Sequence, residues 1–283
     1  MKTYSIFPTA LLLAALVALP EATTEKNADT EAVEAVKLLQ DEPGEVAGDE
    51  EDAVVSAAAL LERIEQAAAE MQTLRCRVRY TRVQGLLGDE QRRFGDLFYA
   101  AANDDEPTRF AIHLDGLVLD DRMRTIDQWF IYDSRFLLER NHDDQTATRR
   151  EIRSADAENE ETLALDSGTI PIPLRLKKDD VLAQYDAVQR GDETVGDWTL
   201  HHLELTPKQD AAQGGDDPAV LHLWFDSETL LLTKVVTVEG NDQIELLFAP
   251  SEMQPNAEIA PGTFDTTLPD EADGWDVQDV PLE

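Results

Sequence analysis

The histidines are the first side chains of this sequence to consider for chemistry, because imidazole is a common metal ligand and acid–base catalyst. The chain has five in 283 residues. His201 and His202 are adjacent, so on a strand they point to opposite faces and cannot chelate one metal ion together. His113, His142 and His222 fall in different predicted strands and a turn. This spacing disfavours a histidine metal site, and we expect no metal and no cofactor.

Carboxylates are the most abundant reactive groups, with 59 Asp and Glu against 24 Lys and Arg and a formal net charge of −35. Any two could be paired as the acid and base of a hydrolase, so their number alone selects no pair. The acidic clusters 103–106, 120–121 and 143–144 lack the alternation and the glycine of a calcium loop. Solvated turns are therefore favoured over calcium sites. The same charge repels phosphate backbones, so we expect no nucleic-acid partner.

Nucleophilic catalysis has little support in the sequence. No Gly-x-Ser-x-Gly elbow, phosphate loop, dinucleotide fingerprint or His-Glu-x-x-His helix occurs. Cys76 is the one cysteine and lies on the apolar side of an alternating stretch, which favours a buried, inert thiol over a nucleophile. The absence of these motifs weakens the case for the common enzyme classes. An exported hydrolase whose carboxylates the sequence does not single out stays the alternative.

The N-terminal residues predict export. Residues 1–22 contain Lys2, an apolar stretch from Ala10 to Leu19, and small residues at Ala18 and Ala22, the order of a cleavable signal peptide. The apolar stretch is too short to span a membrane, and no cysteine follows it for lipid attachment. We expect a soluble, monomeric periplasmic protein. Residues 23–51 are acidic with few large apolar groups, which predicts a flexible tether before a domain at residues 52–283.

Two periodicities define the elements of this domain. Apolar residues recur every three or four positions from Ala57 to Leu74, which predicts an amphipathic helix of about five turns. The period then changes to two, as expected for strands. The clearest alternating stretches are Cys76–Tyr80, Phe110–Leu114, Leu221–Phe225 and Ile244–Phe248. Turn-forming residues separate the strands, so the pattern favours an α+β domain with an antiparallel sheet and few helices.

A proline-stiffened bend interrupts the predicted strands. Each proline fixes its own φ and disfavours helix in the residue before it, so the four residues Ile170-Pro171-Ile172-Pro173 form a rigid extended bridge. A short helix is predicted after it, starting near Lys177 to Asp180, with one apolar stripe. We interpret bridge and stripe together as a lid. Its residues are Ile170, Pro171, Ile172, Pro173, Val181, Leu182 and Tyr185.

One strand carries large apolar side chains on both faces, in the run Trp129-Phe130-Ile131-Tyr132. A sheet that is apolar on both sides must be covered on both sides or must bind a ligand on one of them. The two predicted helices can cover one side.

The order of several short motifs resembles the LolA-like family of periplasmic outer-membrane lipoprotein carrier proteins. Together the motifs cover about residues 53–280. They are Met71-Gln72-Thr73-Leu74, Pro107 to Leu114, Trp129 to Asp133, Leu203 to Lys208, Leu223 to Asp226, Glu239 to Asp242, Phe264 to Pro269 and Gly274 to Val277. The Trp-Phe-Ile-Tyr, Leu-Leu-Glu-Arg and Ile-Pro-Ile-Pro series further looks like a branch of LolA-like proteins from planctomycete-type bacteria.

The resemblance implies a fold and a site. The fold is an incomplete antiparallel β-barrel, or half-barrel, with helices covering its concave side and a hydrophobic cavity beneath them. The proline bend would then deliver the lid across the mouth of the half-barrel. By position, the cavity-lining residues are Phe110, Ile112, Leu114, Phe130 and Tyr132. Plain core packing is the alternative reading of each of these five.

The resemblance also implies a function. Carriers of this kind take acylated lipoproteins from an inner-membrane ABC transporter and pass them to an outer-membrane acceptor, without making or breaking a bond. A lipid- or lipoprotein-sensing module of the same architecture is the runner-up. One departure matters: the family has Lys-Arg before the proline, with the arginine latching the lid, and this chain has Asp105-Glu106 before Pro107. Any latch must therefore differ here.

Overall fold

The computed structural model describes residues 50–86, 89–103, 106–119, 122–152, 174–195, 198–208 and 220–282. The predicted signal peptide, the predicted tether up to residue 49 and the bridge Ile170–Pro173 lie outside these residues. Within the described part, no helix is both long enough and apolar enough to cross a membrane.

The described residues form two α-helices, thirteen strands and two 3₁₀ turns. The first helix already begins at Glu50, two residues before the predicted start of the domain. The helices are α1 (Glu50–Glu70) and α2 (Lys178–Gln184), and the 3₁₀ turns are Pro250–Glu252 and Glu271–Asp273. The strands are β1 (Thr73–Gln84), β2 (Asp89–Ala100), β3 (Arg109–Leu119), β4 (Arg122–Tyr132), β5 (Phe136–Asn141), β6 (Thr146–Glu151), β7 (Tyr185–Val195), β8 (Trp198–Pro207), β9 (Val220–Asp226), β10 (Leu232–Glu239), β11 (Asp242–Phe248), β12 (Gln254–Pro255) and β13 (Asp276–Val280).

All thirteen strands belong to one sheet, whose order is β13-β6-β5-β4-β3-β2-β1-β11-β10-β9-β8-β7, with β12 paired to the start of β1. Neighbouring strands are antiparallel except β13 and β6, which run parallel. The two end strands, β13 and β7, do not pair with each other in this order, so the barrel is incomplete. This confirms the predicted half-barrel. The parallel edge was not predicted, because β13 reaches β6 only after a long irregular C-terminal segment.

The strands alternate as the sequence predicts. In β1, Leu74, Cys76 and Val78 are buried in the main core, and the arginines between them point to the other face. The pairing of β1 with β2 runs without interruption from Thr73 opposite Ala100 to Gln84 opposite Asp89. This long hairpin fixes which residues of the neighbouring strands share a face. We call the face that carries Leu74 the concave face and the opposite one the convex face.

The helices cover the concave face. The apolar residues of α1, Ala57, Leu60, Leu61 and Ile64, are buried in the same cluster as the concave residues of the strands. The helix packs on β7 and on α2. Its predicted apolar face is therefore confirmed for these residues. The helix ends at Glu70, however, and Leu74, which was predicted to continue it, lies in β1. Burying a leucine side chain contributes roughly 1.5–3 kcal/mol to folding, so these contacts hold the helix on the sheet.

The convex face is covered differently in its two halves. Over β3 to β6, the C-terminal segment places Phe264, Leu268 and Trp275 against a small cluster that includes Ala111 and Ile131. Over β8 to β10, a second cluster consists of Leu200, Trp224 and Val236 with flanking valines. The run Trp129 to Tyr132 is thus covered on both sides, and the cover on its convex side is an irregular segment instead of a helix.

Candidate ligand-binding site

The five residues predicted to line a cavity form one continuous patch on the concave face. Phe110 lies opposite Tyr132, and Ile112 lies opposite Phe130, in the antiparallel pairing of β3 with β4. Leu114 continues the same face of β3. The ring centroids of Phe110 and Tyr132 are 5.3 Å apart. The sequence alone did not reveal which face of β4 is concave, and this register answers that question in favour of Phe130 and Tyr132.

All five side chains of this patch are buried. They share one packed cluster with Leu174, Leu176 and Val181 from the segment that includes α2. Cavity lining therefore stays a prediction for each of them, since plain packing explains the same burial. For an acyl chain to reach the patch, the residues that cover it must move or part.

The predicted lid is partly described by the structure. Val181 is buried, and Leu182 packs against the core at partial exposure. Tyr185 is buried as well, but it is the first residue of β7 and not part of the helix. Its backbone is extended, with φ −126° and ψ 148°, because the pairing of β7 with β8 begins at this residue, opposite Pro207. The prediction that Tyr185 is helical was wrong.

Polar contacts tie α2 to its surroundings. The backbone N–H of Lys178 donates to Oε2 of Glu65 at 3.1 Å, and its Nζ lies 3.3 Å from Oε2 of Glu62, both on α1. From the other side, Nζ of Lys208 donates to the carbonyl of Leu182 at 2.6 Å. The helix is therefore held between α1 and the end of β8.

The position before Pro107 does not contribute to these contacts. Glu106 instead accepts hydrogen bonds from Arg109, at 3.1 and 2.5 Å.

A cluster of polar and aromatic side chains on the convex face was not found from the sequence. His202 and His222 come within 3.1 Å of each other, between Nε2 and Nδ1. His202 also stacks on Trp224 at 4.2 Å between ring centroids and lies 3.1 Å from Oε1 of Glu193. The register of the strands brings these side chains together: His202 lies opposite Trp224, and Glu204 lies opposite His222.

The other histidines agree with the sequence analysis. His201 points away from His202, and its Nδ1 lies 2.6 Å from Oδ1 of Asp192. His113 stacks on Trp129 and contacts Asp127. Among the described residues, no group of three or more His, Cys, Asp or Glu is arranged to hold a metal ion. Cys76 is buried, and this burial raises the pKa of its thiol far above the usual range.

The histidine pair gives the fold a pH dependence. Burial, and then repulsion from His202, lowers the pKa of His222 from its ordinary 6.5, with Glu204 acting in the opposite direction. Below pH 6.5 the unfolded chain therefore binds more protons than the folded one at this residue, so the stability it contributes is lost as the pH falls. The hydrogen bond with His202 also lowers the pKa of Glu193, but this acts only below about 4.5.

We expect the melting temperature of the protein to fall between pH 7.5 and pH 5.5, and to fall less in a His222→Gln variant. Circular dichroism melts at closely spaced pH values measure both slopes. His201→Gln is the control. His201 lies on the opposite, concave face, where it contacts Asp192 and takes no part in the pair of His202 with His222. Equal slopes in the wild type and His222→Gln would contradict the assignment.

Comparisons with known proteins find solved structures that are similar to this one at low sequence identity. No protein-family model and no curated protein matches the sequence. Three solved structures are similar: a chain of the MucA/MucB complex of Pseudomonas aeruginosa (15% identity, TM-score 0.42, 75% of this chain and 61% of that one), an uncharacterised conserved protein of Thermus thermophilus (10%, 0.45, 80% and 99%), and lipoprotein LppX of Mycobacterium tuberculosis (14%, 0.41, 69% and 96%). The chain thus spans only 61% of the MucA/MucB chain. At these identities and TM-scores the similarities assign no function. The half-barrel is defined by the strand order itself.

Proposed function

We propose that this protein is a periplasmic carrier, or chaperone, that binds the acyl chains of a lipoprotein or another lipid on the concave face of its half-barrel. The observation that carries the proposal is the continuous apolar patch across β3 and β4, on the side of an incomplete barrel that two helices cover. The patch has the width of two strands and consists of aromatic and aliphatic side chains. These are the groups that a lipid tail contacts without specific polar bonds.

The energetics suit a carrier. Each buried methylene contributes about 0.8 kcal/mol, so even part of an acyl chain gains enough to leave water. Binding of the acyl chain is also reversible, because a second apolar site that buries a similar area can accept it. Access would be controlled by α2, which is only seven residues long and is held by a few polar contacts. No covalent step is part of this function, so we propose a binding protein and not an enzyme.

The partners in this proposal are those of a carrier. Cargo would come from an inner-membrane ABC transporter and would leave to an outer-membrane acceptor, with export directed by residues 1–22. A sensing module of the same architecture would bind the same cargo without passing it on. Transfer of labelled cargo to acceptor membranes separates these two alternatives.

The first experiment is native mass spectrometry of the mature protein purified from its exported form. We expect an adduct with the mass of a lipid or an acylated peptide, which denaturation removes. A protein that carries no adduct and also takes up no added fatty acid would contradict acyl binding. Turnover of a lipid ester during incubation would instead favour the exported hydrolase.

A further inference from the structure

The concave face changes from apolar to basic along the strands β1 to β4. Beyond the apolar patch, one row across the sheet consists of Tyr80 on β1, Arg93 on β2, Leu117 on β3 and Arg124 on β4, each opposite the next. Arg82 lies two residues beyond Tyr80 on the same face. Three guanidinium groups thus share one end of the face that carries Phe110 and Phe130.

Two irregularities in the pairing determine which residues of β2, β3 and β4 lie opposite one another in this row. The registers of β2 with β3 and of β3 with β4 shift at Gly95 and Gly116, which leaves Asp115 as an extra residue. Asp115 turns to the convex face and pairs with Arg77, with 2.7 Å between Nη2 and Oδ1. Gly95 is required at the bulge, since an added Cβ would lie 2.0 Å from the carbonyl oxygen of His113. After the bulge, Leu117 lies on the concave side, between Arg93 and Arg124.

The arginines of this row differ from those that form ion pairs. Several arginines on the convex face and at the edges pair with carboxylates, as Arg79 does with Glu245 and Arg149 with Asp279. Among the described residues, no carboxylate lies within 4 Å of the guanidinium of Arg82, Arg93 or Arg124. In the same part of the chain, Arg75 and Arg140 also lack a carboxylate, but they lie over the rings of Phe98 and Trp129.

The environment of Arg93 strengthens this point. Its side chain is half-buried, and burial, together with repulsion from Arg82, lowers the pKa of its guanidinium, with attraction to Tyr80 and Glu139 acting in the opposite direction. Glu139 is itself engaged, since its Oε1 accepts a hydrogen bond from Gln128 at 3.1 Å. A desolvated guanidinium beside a second one gains most from an additional anion.

We propose that Arg82, Arg93 and Arg124 bind the anionic headgroup of a lipid whose acyl chain lies over the apolar patch. The inference rests on the proposed acyl-binding function and adds the class of ligand, an amphiphile with a carboxylate or a phosphate at its head. The planar guanidinium matches both groups through paired hydrogen bonds. From Ile112 to Leu117 the face extends about 16 Å along β3, at about 3.3 Å per residue, so head and tail can occupy separate parts of one surface.

The test compares two fluorescent probes that differ only at the head: cis-parinaric acid and its methyl ester. We expect the wild-type protein to bind the acid about tenfold more tightly than the ester, as for a hydrogen bond to a charged group. Arg93→Gln should lower the affinity for the acid to that for the ester and leave the ester unchanged. Fluorescence titration measures the dissociation constants, and circular dichroism verifies that each variant is folded.

Arg92→Gln is the matched control. Arg92 neighbours Arg93 on β2, points to the convex face and lies 3.0 Å from Oε1 of Glu90. Its replacement should leave the affinities for both probes as they are. Inorganic phosphate at millimolar concentration should not displace the acid; displacement would mean that the arginines bind free anions and would overturn the lipid-headgroup assignment.

Two failures are distinguishable. Equal affinities for acid and ester in the wild type, with no effect of Arg93→Gln, would overturn the headgroup site and leave acyl binding intact. Binding of neither probe would overturn acyl binding and the headgroup site together. If Arg93→Gln does not fold, Arg124→Gln on the exposed end of the row replaces it, with the same expected loss for the acid alone.

Discussion

A Phe130→Asp variant is expected to lose acyl binding, with an affinity for cis-parinaric acid reduced by at least about a hundredfold. The substitution places a carboxylate at the centre of the apolar patch, where a lipid tail offers it no hydrogen bond, and burying an unpaired charge costs several kcal/mol. Phe130 is in the same row as Ile112 and next to the row of Phe110 and Tyr132. Fluorescence titration measures the loss of affinity, which is expressed per folded molecule with the folded fraction taken from circular dichroism.

Ile131→Asp separates ligand binding from folding. Ile131 neighbours Phe130 in β4 and is also buried, but it packs on the convex face under the C-terminal segment. Both variants place a charge in an apolar cluster, so both should be destabilised. Only Phe130→Asp should lose affinity per folded molecule. If both lose it equally, the patch is simply core, and Phe110, Ile112, Leu114 and Tyr132 cease to be candidates. Where an aspartate prevents folding, Phe130→Ala and Ile131→Ala make the same comparison with a smaller effect.

A Glu245→Ala variant is expected to lose roughly 3–5 kcal/mol of folding free energy, the range for breaking a buried ion pair from one side. Glu245 lies between two cations on the convex face: its Oε1 is 2.6 Å from Nη2 of Arg79, and its Oε2 is 3.4 Å from Nζ of Lys234. The side chains of Arg79, Glu245 and Lys234 are only 8%, 15% and 14% exposed. Removing the carboxylate leaves both cations in this poorly solvated position without their shared partner.

Chemical denaturation at pH 7 measures the effect on the free energy of unfolding. Glu90→Ala is the control, since Glu90 makes a comparable 3.0 Å contact with Arg92 but is 49% exposed. An exposed pair of this kind contributes at most about 1 kcal/mol. If the two variants lose the same free energy, the network around Glu245 is solvated in solution and contributes as little as a surface pair.

Much of the sheet could be predicted because its strands carry a clean alternation. In β1 up to Tyr80 and in β3 up to Leu114, the side chains of one parity are apolar and those of the other are charged, polar or small, so the face of each residue follows from its position. The same holds for α1, whose apolar residues recur at helical spacing. These local patterns also placed Phe110, Ile112 and Leu114 together, because they are neighbours on one face of a single strand.

What could not be predicted depends on pairing between distant residues. His202 and His222 meet only because β8 and β9 align at one particular register, and neither residue has a local signal for it. Arg93 and Arg124 follow the alternation of their own strands, but they come into one row only because the registers on both sides of β3 shift at its bulge. Tyr185 has the spacing of a helix, but strand pairing with β8 prevails over that local preference.

Among the described residues, β13 and β7 form the two margins of the half-barrel with no further strand beside them, and this affects how copies of the protein meet. An open sheet edge offers free backbone groups to which another chain can add a strand, and so invites aggregation. Here one margin, β13, carries Asp276 and Asp279, and the other, β7, carries Asp186 and Glu193 and is bent by a bulge at Gly191. Like charges on both margins oppose edge-to-edge association of two copies. The acidity of the chain thus opposes polymerisation of an incomplete barrel through the open margins that the proposed ligand binding requires.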